Sequence, residues 1–348
     1  MSNAPPQLTD VARQVDLALA MIFAEERETW SRLDPEIDVP LGDLEDFVAG
    51  GGKRIRPAYC HWGWVTAGGD PSGEGAIPGG CALELLHAFA LIHDDVMDGS
   101  PTRRGSPTVW ARFIRRHEAG EWQGEGRRFG EAVAILIGDI AMVMADRRLS
   151  HANPGVRDVW DTLRTELNMG QYLDVLGTAQ GAVTAEGART IMRNKTAGYT
   201  IARPLQLGAA LAGRPDLAAD LEAHGMPLGI AFQLRDDMLG AFGDSERTGK
   251  PVGDDLSEGK PTVLLALARE AADLAQLAIL DKVGGPIGAD DIASIQQVMV
   301  DTGAVAKSEA ETEELLAEAL AAIDGLPDHN DSRDALRALA DYVVERDT

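Results

Sequence analysis

Apolar positions recur along most of this chain with helical spacing, and almost nowhere with the alternation of a strand. Val11, Val15, Leu19 and Ile22 share one face of a first helix, which Thr9 or Asp10 can cap and which runs to about Ser31. Residues 1–8, with Pro5-Pro6, read as a flexible tail. Pro35 and Pro40 interrupt the pattern before a helix over 41–48. Gly50-Gly51-Gly52 then turns the chain, and Pro57 is tolerable in the first turn of the next helix. Residues 68–80 form a Gly/Pro-rich loop. Over 80–98 apolar side chains (Leu83, Leu85, Leu86, Ala88, Phe89, Leu91, Ile92) surround the helix, which marks it as central and buried. The stretches 99–107 and 118–130 read as a loop and a polar connection. Further helices are predicted over 131–149, 156–179, 184–196, 199–212, 215–244, 261–280, 289–302, 304–326 and 332–346. The pattern predicts an all-α fold, one helical bundle domain over 1–348, with no internal repeat.

Two of these apolar helices end in carboxylates. The central one closes on Asp94-Asp95-Val96-Met97-Asp98, where Asp94 and Asp98, and Asp95 and Asp98, lie on one face. Like charges so placed repel unless a cation sits between them. A second pair, Asp236-Asp237, follows 142 residues later on another apolar helix. Basic residues in Gly-rich loops come after each: Arg103-Arg104-Gly105 after the first, Lys250 and Gly259-Lys260 after the second. Carboxylates on two helices lining a central cavity, with Lys and Arg at its mouth, suit magnesium and a polyphosphate.

Composition narrows the partners. The 348 residues are 45% hydrophobic and only 5% aromatic, which favours packed helices, and a formal charge of −24 argues against a nucleic-acid binder. In so acidic a chain the cluster Lys53-Arg54-Ile55-Arg56 points to an anion. Cys60 and Cys81 lack metal-type spacing and read as reduced structural thiols. No signal peptide is recognisable, and the longest apolar stretch, 132–145, is broken by Asp139 and too short to cross a bilayer. A cytoplasmic protein without a membrane span is expected.

Seven motifs in order make the reading specific: GGKRIRP at 51–57, ELLHAFALIHDDVMD at 84–98, PTRRG at 101–105, GQYLD at 170–174, KTAGY at 195–199, FQLRDD at 232–237 and GKPVGDDLSEGKPT at 249–262. With these the chain resembles the trans-isoprenyl diphosphate synthases of the polyprenyl synthetase family. The resemblance implies three magnesium ions held by Asp94 and Asp98 from one wall and Asp236 from the other, with Asp95 and Asp237 supporting. It assigns Lys53, Arg56, His87 and Arg104 to isopentenyl diphosphate. Arg103, Lys195, Lys250 and Lys260 would hold the allylic diphosphate, with Thr196 and Gln233 near the reacting carbons. His93 is given no role. The second motif departs from the family's D-D-x-x-D, because its fifth position is Gly240; Asp244 lies one turn further on.

The reaction so implied is head-to-tail 1'-4 condensation of isopentenyl diphosphate with a C5 to C15 allylic diphosphate, through ionisation to an allylic cation. Phe89, followed by the small Ala90, lies five residues before Asp94, and the first motif lacks a two-residue insertion; this resembles the family's C20, geranylgeranyl-forming enzymes. The alternatives are a farnesyl or longer product, a class I terpene cyclase, or a non-catalytic regulatory subunit that binds prenyl diphosphates. A cyclase would not need the Lys53/Arg56/Arg104 set, and a decayed site would not retain both acidic motifs. The family is usually homodimeric, and a homodimer is expected here.

Overall fold

Pro6, not Thr9, starts the first helix, α1 (Pro6–Trp30). Proline has no N–H to leave unpaired, and its fixed φ suits a first turn. Leu8 is already buried and Trp62 Nε1 donates to Gln7 O at 3.0 Å, so the end of the expected tail is packed. The computed structural model describes residues 4–103, 105–181, 183–243 and 253–344. The chain divides into two compact units: Met1–Arg157 with Leu207–Arg214, and Asp158–Gln206 with Pro215–Thr348.

The first unit holds α1, α2 (Asp38–Ala49), α3 (Ile55–Thr66), α4 (Ile77–Met97), α5 (Val109–Ala119) and α6 (Gly126–Arg148). Its core helix is α4, packed on α3 and α6, with Leu83, Leu85, Leu86 and Ile92 fully buried. The sequence pattern left α5 unassigned and began α6 at 131. Trp122 shortens the connection between them by packing edge-on to His117 and Phe129, with ring centroids 6.1 and 5.3 Å away. The loop after α4 contains the one strand pairing among the described residues, Thr102–Arg103 (β1) against Ser106–Pro107 (β2). Two residues a side are too few for alternation to register in a sequence. Cys60 and Cys81 are buried free thiols whose pKa burial raises, Cys81 to about 12, so both stay protonated and unreactive.

The second unit receives most of α7 (Pro154–Gln180), followed by α8 (Ala185–Met192), a π-helical segment (Arg193–Ala202) and the start of α9 (Arg203–Leu211). Then come α10 (Ala218–Phe242), α11 (Asp254–Glu258), α12 (Val263–Ala271), α13 (Leu274–Leu280), α14 (Ala289–Asp301), α15 (Ala304–Ile323) and α16 (Ser332–Val344). The two helices expected over 184–196 and 199–212 are one continuous run, because the Ala197-Gly198 break is bridged by the π-helical turns. Close backbone approach makes room for it. A Cβ at Gly229 of α10 would lie 2.6 Å from Ala197 Cα, and one at Gly170 of α7 would lie 2.5 Å from Lys195 N. Conversely, the single helix expected over 261–280 is two. Asp273 accepts from Ala275 N and Gln276 N, both at 2.9 Å, while Gln276 Oε1 accepts from Asp273 N at 3.0 Å; this capping box starts α13.

Helix α10 is the core of the second unit, packed on the π-helical segment and on α15. His224 sits there fully buried, with Nδ1 2.9 Å from Ala319 O. Burial lowers its pKa, only partly countered by the Ala319 carbonyl, so the native ring stays neutral. The unfolded chain therefore binds a proton, near the ordinary pKa of about 6.5, that the native chain does not, and stability is lost as pH falls below that value. His224→Asn, which keeps a donor for Ala319 O but cannot titrate, should flatten the fall in stability between pH 7 and 5. The difference approaches about 1 kcal/mol per pH unit, readable from urea midpoints; equal slopes in both proteins would refute it.

Candidate active site

The glycine-rich turn before α3 is tied down by an arginine. Gly51 and Gly52 take φ values of 126° and 154°, and Arg54 itself is left-handed at φ 51°, an unfavourable place for a non-glycine residue. Its guanidinium holds it there. Nε donates to Asp16 Oδ1 at 2.8 Å, Nη1 to Glu84 Oε2 at 2.5 Å and Nη2 to Val48 O at 2.7 Å. Burial works to lower the Arg54 pKa, but Glu84 and Asp16 outweigh it and hold the group firmly charged. Lys53 and Arg56, on either side of this anchor, are half-buried. His87, one turn along α4 from Glu84, lines a pocket of about 190 Å³ together with Arg54 and Arg103.

At the end of α4 the three carboxylates are unequal. Asp94 is half-buried, Asp98 is exposed at the helix C-cap, and Asp95 is only 1% exposed. Arg103 on β1 clamps the pair, with Nε 2.8 Å from Asp95 Oδ1 and Nη2 3.4 Å from Asp94 Oδ2. Burial pushes the Asp95 carboxyl up to about 6; Arg103 opposes this, while Asp94 and Asp98 add to it. Asp95 Oδ2 is buried with no hydrogen-bond partner among the described residues. Trp110 of α5 braces the backbone by donating from Nε1 to Asp95 O and Ser100 O, both at 3.0 Å. Arg104 lies outside the described residues. Phe89, one turn before His93, meets that ring at a centroid distance of 4.6 Å, and His93 Nε2 lies 2.9 Å from Ile135 O.

The second unit repeats the inequality. Asp236 is exposed, whereas Asp237 is buried and receives a hydrogen bond from Gln233 Nε2 at 2.6 Å. Lys195 and the half-buried Thr196 lie on the π-helical segment, where Lys195 Nζ is 2.5 Å from Asp174 Oδ2 of α7. Lys260 Nζ is 2.5 Å from Glu258 Oε2. Lys250 and Asp244 lie outside the described residues. Gly240 continues α10 without a carboxylate at the fifth position of the motif.

The sequence assigns no role to Glu84, Trp110 or Asp174, and places Arg54 in an anion-seeking cluster, whereas the structure uses it to anchor the turn. Arg54, Glu84 and Asp174 stand inside the quoted motifs, but nothing in their spacing shows a left-handed backbone, a buried arginine partner or a lysine partner. Among the described residues no three His, Cys, Asp or Glu side chains gather into a metal cage. An outward carboxylate beside a buried, tethered one is instead a donor set for a hard ion that keeps waters and takes further oxygens from a phosphate. Magnesium fits these residues on that ground.

The family model for polyprenyl synthetase matches residues 42–301. The chain is 32% identical over 328 residues to the short chain isoprenyl diphosphate synthase of Methanothermobacter thermautotrophicus, covering 92% of this chain and 94% of that one. It is 34% identical over 317 residues to the geranylgeranyl diphosphate synthase of Mycobacterium tuberculosis, covering 88% and 83%. The crystal structure of geranylgeranyl pyrophosphate synthase from Corynebacterium glutamicum, complexed with isoprenyl diphosphate and magnesium, superposes with a TM-score of 0.92 at 39% identity, covering 97% of this chain and 99% of that one. Relatives named for farnesyl, geranylfarnesyl and nonaprenyl diphosphates match at comparable identity, so the likeness fixes the chemistry and not the product length. Matched over most of its length by these proteins and by the family model, the chain belongs to the polyprenyl synthetase family, and is a prenyltransferase of the trans-isoprenyl diphosphate synthase type.

Proposed function

We propose that the protein condenses isopentenyl diphosphate with C5 to C15 allylic diphosphates in a magnesium-dependent reaction, and that its main product is geranylgeranyl diphosphate. The observation that carries the magnesium reading is the shared asymmetry of Asp94/Asp95 and Asp236/Asp237: in each pair the first carboxylate is the more accessible and the second is buried on a neighbour's hydrogen bond. Asp94, Asp98 and Asp236 are accordingly the proposed ligands, three ions the proposed complement, and Asp95 and Asp237 the residues that fix the helix ends. Bound there, magnesium would neutralise the allylic diphosphate and make it a better leaving group.

The chain's own residues do the rest. Lys195, held by Asp174, and Arg103, held by Asp94 and Asp95, are preset cations for the departing diphosphate, with Lys250 and Lys260 completing the set. Lys53, Arg56, His87 and Arg104 hold isopentenyl diphosphate, so that its double bond meets the allylic cation without diffusing. With its N–H engaged by Asp237, Gln233 offers its amide oxygen, and Thr196 its hydroxyl, as negative dipole ends near that cation. The released diphosphate takes the proton. Exposed apolar residues on α6 (Ile135, Leu136, Val143) support a homodimer through that helix. Among the described residues no helix is long and apolar enough to cross a membrane, which fits a cytoplasmic setting.

Phe89 is the proposed floor of the growing chain. Its ring is braced on His93, and Gly138 on α6 leaves no room for a side chain beside that imidazole, so the floor rests on a packed helix pair. Incubation with magnesium, labelled isopentenyl diphosphate and each of the C5, C10 and C15 primers, followed by sizing of the dephosphorylated products, tests the reading. C20 alcohol should dominate, and Phe89→Ala should move the ladder up by at least one C5 unit. No uptake of isopentenyl diphosphate would overturn the function; an unchanged ladder would overturn only the role of Phe89.

A further inference from the structure

Two side chains at the start of α5 line the pocket of His87, Arg54 and Arg103, and no motif of the sequence includes them. Thr108 is the N-cap of α5, yet its side chain makes no capping bond; it is 2% exposed, and its Oγ1 has no hydrogen-bond partner among the described residues. Arg112, one turn on, lines the same pocket. Its Nε is 2.7 Å from Asp43 Oδ1, but out of line for a hydrogen bond, and both Nε and Nη2 are buried without an acceptor among the described residues. Burial holds the Asp43 carboxyl above its usual range; Arg112 pulls it down and Asp46, which also lines the pocket, pushes it up. Arg54 gives Nε, Nη1 and Nη2 to Asp16, Glu84 and Val48 O, and Arg103 gives Nε and Nη2 to the two aspartates. Buried donors without an acceptor among the described residues stand at Thr108 and Arg112, at the N-terminal end of α5, which adds a partial positive charge.

We propose that Thr108 and Arg112 form an anion position at the N-terminus of α5 that takes a phosphate group of isopentenyl diphosphate. This rests on the substrate assignment above. A buried hydroxyl, an arginine fork and a helix N-terminus converging on one pocket are the donor set that phosphate oxygens favour. The position differs from Lys53, Arg56 and Arg104 in coming from the helix after the β1–β2 turn.

Steady-state kinetics on Arg112→Gln, Thr108→Val and Asp43→Asn decide the matter. Arg112→Gln should raise KM for isopentenyl diphosphate about tenfold or more, with kcat and the allylic KM within about twofold. Thr108→Val should raise the same KM a few-fold with an unchanged thermal midpoint, since the hydroxyl caps nothing. Asp43→Asn should leave that KM unchanged or lower it, because it releases Arg112 toward the anion; a merely structural ion pair would make Asp43→Asn behave as Arg112→Gln does. Equal shifts in both substrates' KM, or no shift in either pocket variant, would overturn the inference while the activity of the unaltered protein stands. If the unaltered protein consumes no isopentenyl diphosphate, the substrate assignment falls instead. Calorimetric titration with inorganic diphosphate then decides the pocket: heat that Arg112→Gln abolishes supports an anion position, and heat that it leaves intact refutes one.

Discussion

Asp94→Asn should lower kcat about a thousandfold under saturating magnesium and both substrates, the several kcal/mol that a lost metal ligand removes from a charge-separating step. The substitution keeps size and shape and removes only the charge. Asp94 is the half-buried member of the trio, and its contact to Arg103 is long, at 3.4 Å. Removing one of three like charges should leave the thermal midpoint unchanged or slightly higher. Magnesium dependence supplies the signature, because the residual activity should need more magnesium to reach half its maximum. Initial rates against magnesium concentration measure both effects. Turnover within tenfold of the unaltered protein would remove Asp94 from the metal site.

Arg54→Met should be the most damaging of the single changes for folding. It strands Glu84, 4% exposed, with its charge and no partner, frees Asp16 and Val48 O, and leaves a non-glycine residue in a left-handed conformation with nothing to hold it. Removing one member of a buried ion pair costs about 3–5 kcal/mol, on the order of 5 °C in the melting midpoint of a chain this size. Arg54→Lys should recover little of it, since one ammonium cannot replace a fork that reaches three acceptors on three helices. A loosened turn before α3 should also raise KM for isopentenyl diphosphate by displacing Lys53 and Arg56. A melting midpoint within one degree of the unaltered protein would show that the anchor is dispensable.

Helix after helix was legible because burial follows a 3.6-residue period: in α1 the buried Val11, Val15, Leu19 and Ile22 recur every three or four residues. What escaped prediction has a local cause in each case. The start of α1 depends on Pro6, which excludes a helix interior but favours a helix entry. The gap between α12 and α13 depends on an Asp273–Gln276 exchange invisible to hydrophobic pattern. Continuity from α8 to α9 depends on glycines in α7 and α10, far away in sequence. The candidate residues were legible as chemistry, since carboxylates, lysines and arginines stood out in the motifs. Their division of labour was not. Which aspartate of each pair faces out, and which arginine anchors the loop instead of meeting substrate, are outcomes of burial, and one sequence does not print them.

The π-helical segment gives the chain a different arithmetic downstream of Arg193. Each i→i+5 turn winds more slowly than an α-turn, so residues counted forward from α8 by the usual 100° step arrive at the wrong azimuth by Arg203. Yet Arg203 meets Glu166 through both Nε and Nη2, at 2.8 and 2.7 Å. The segment therefore acts as a phase shifter, allowing Lys195 to address Asp174 and Arg203 to address Glu166 along the same α7. Deleting a residue between them, an edit that looks neutral in a surface helix, would rotate one contact out of reach while keeping the other.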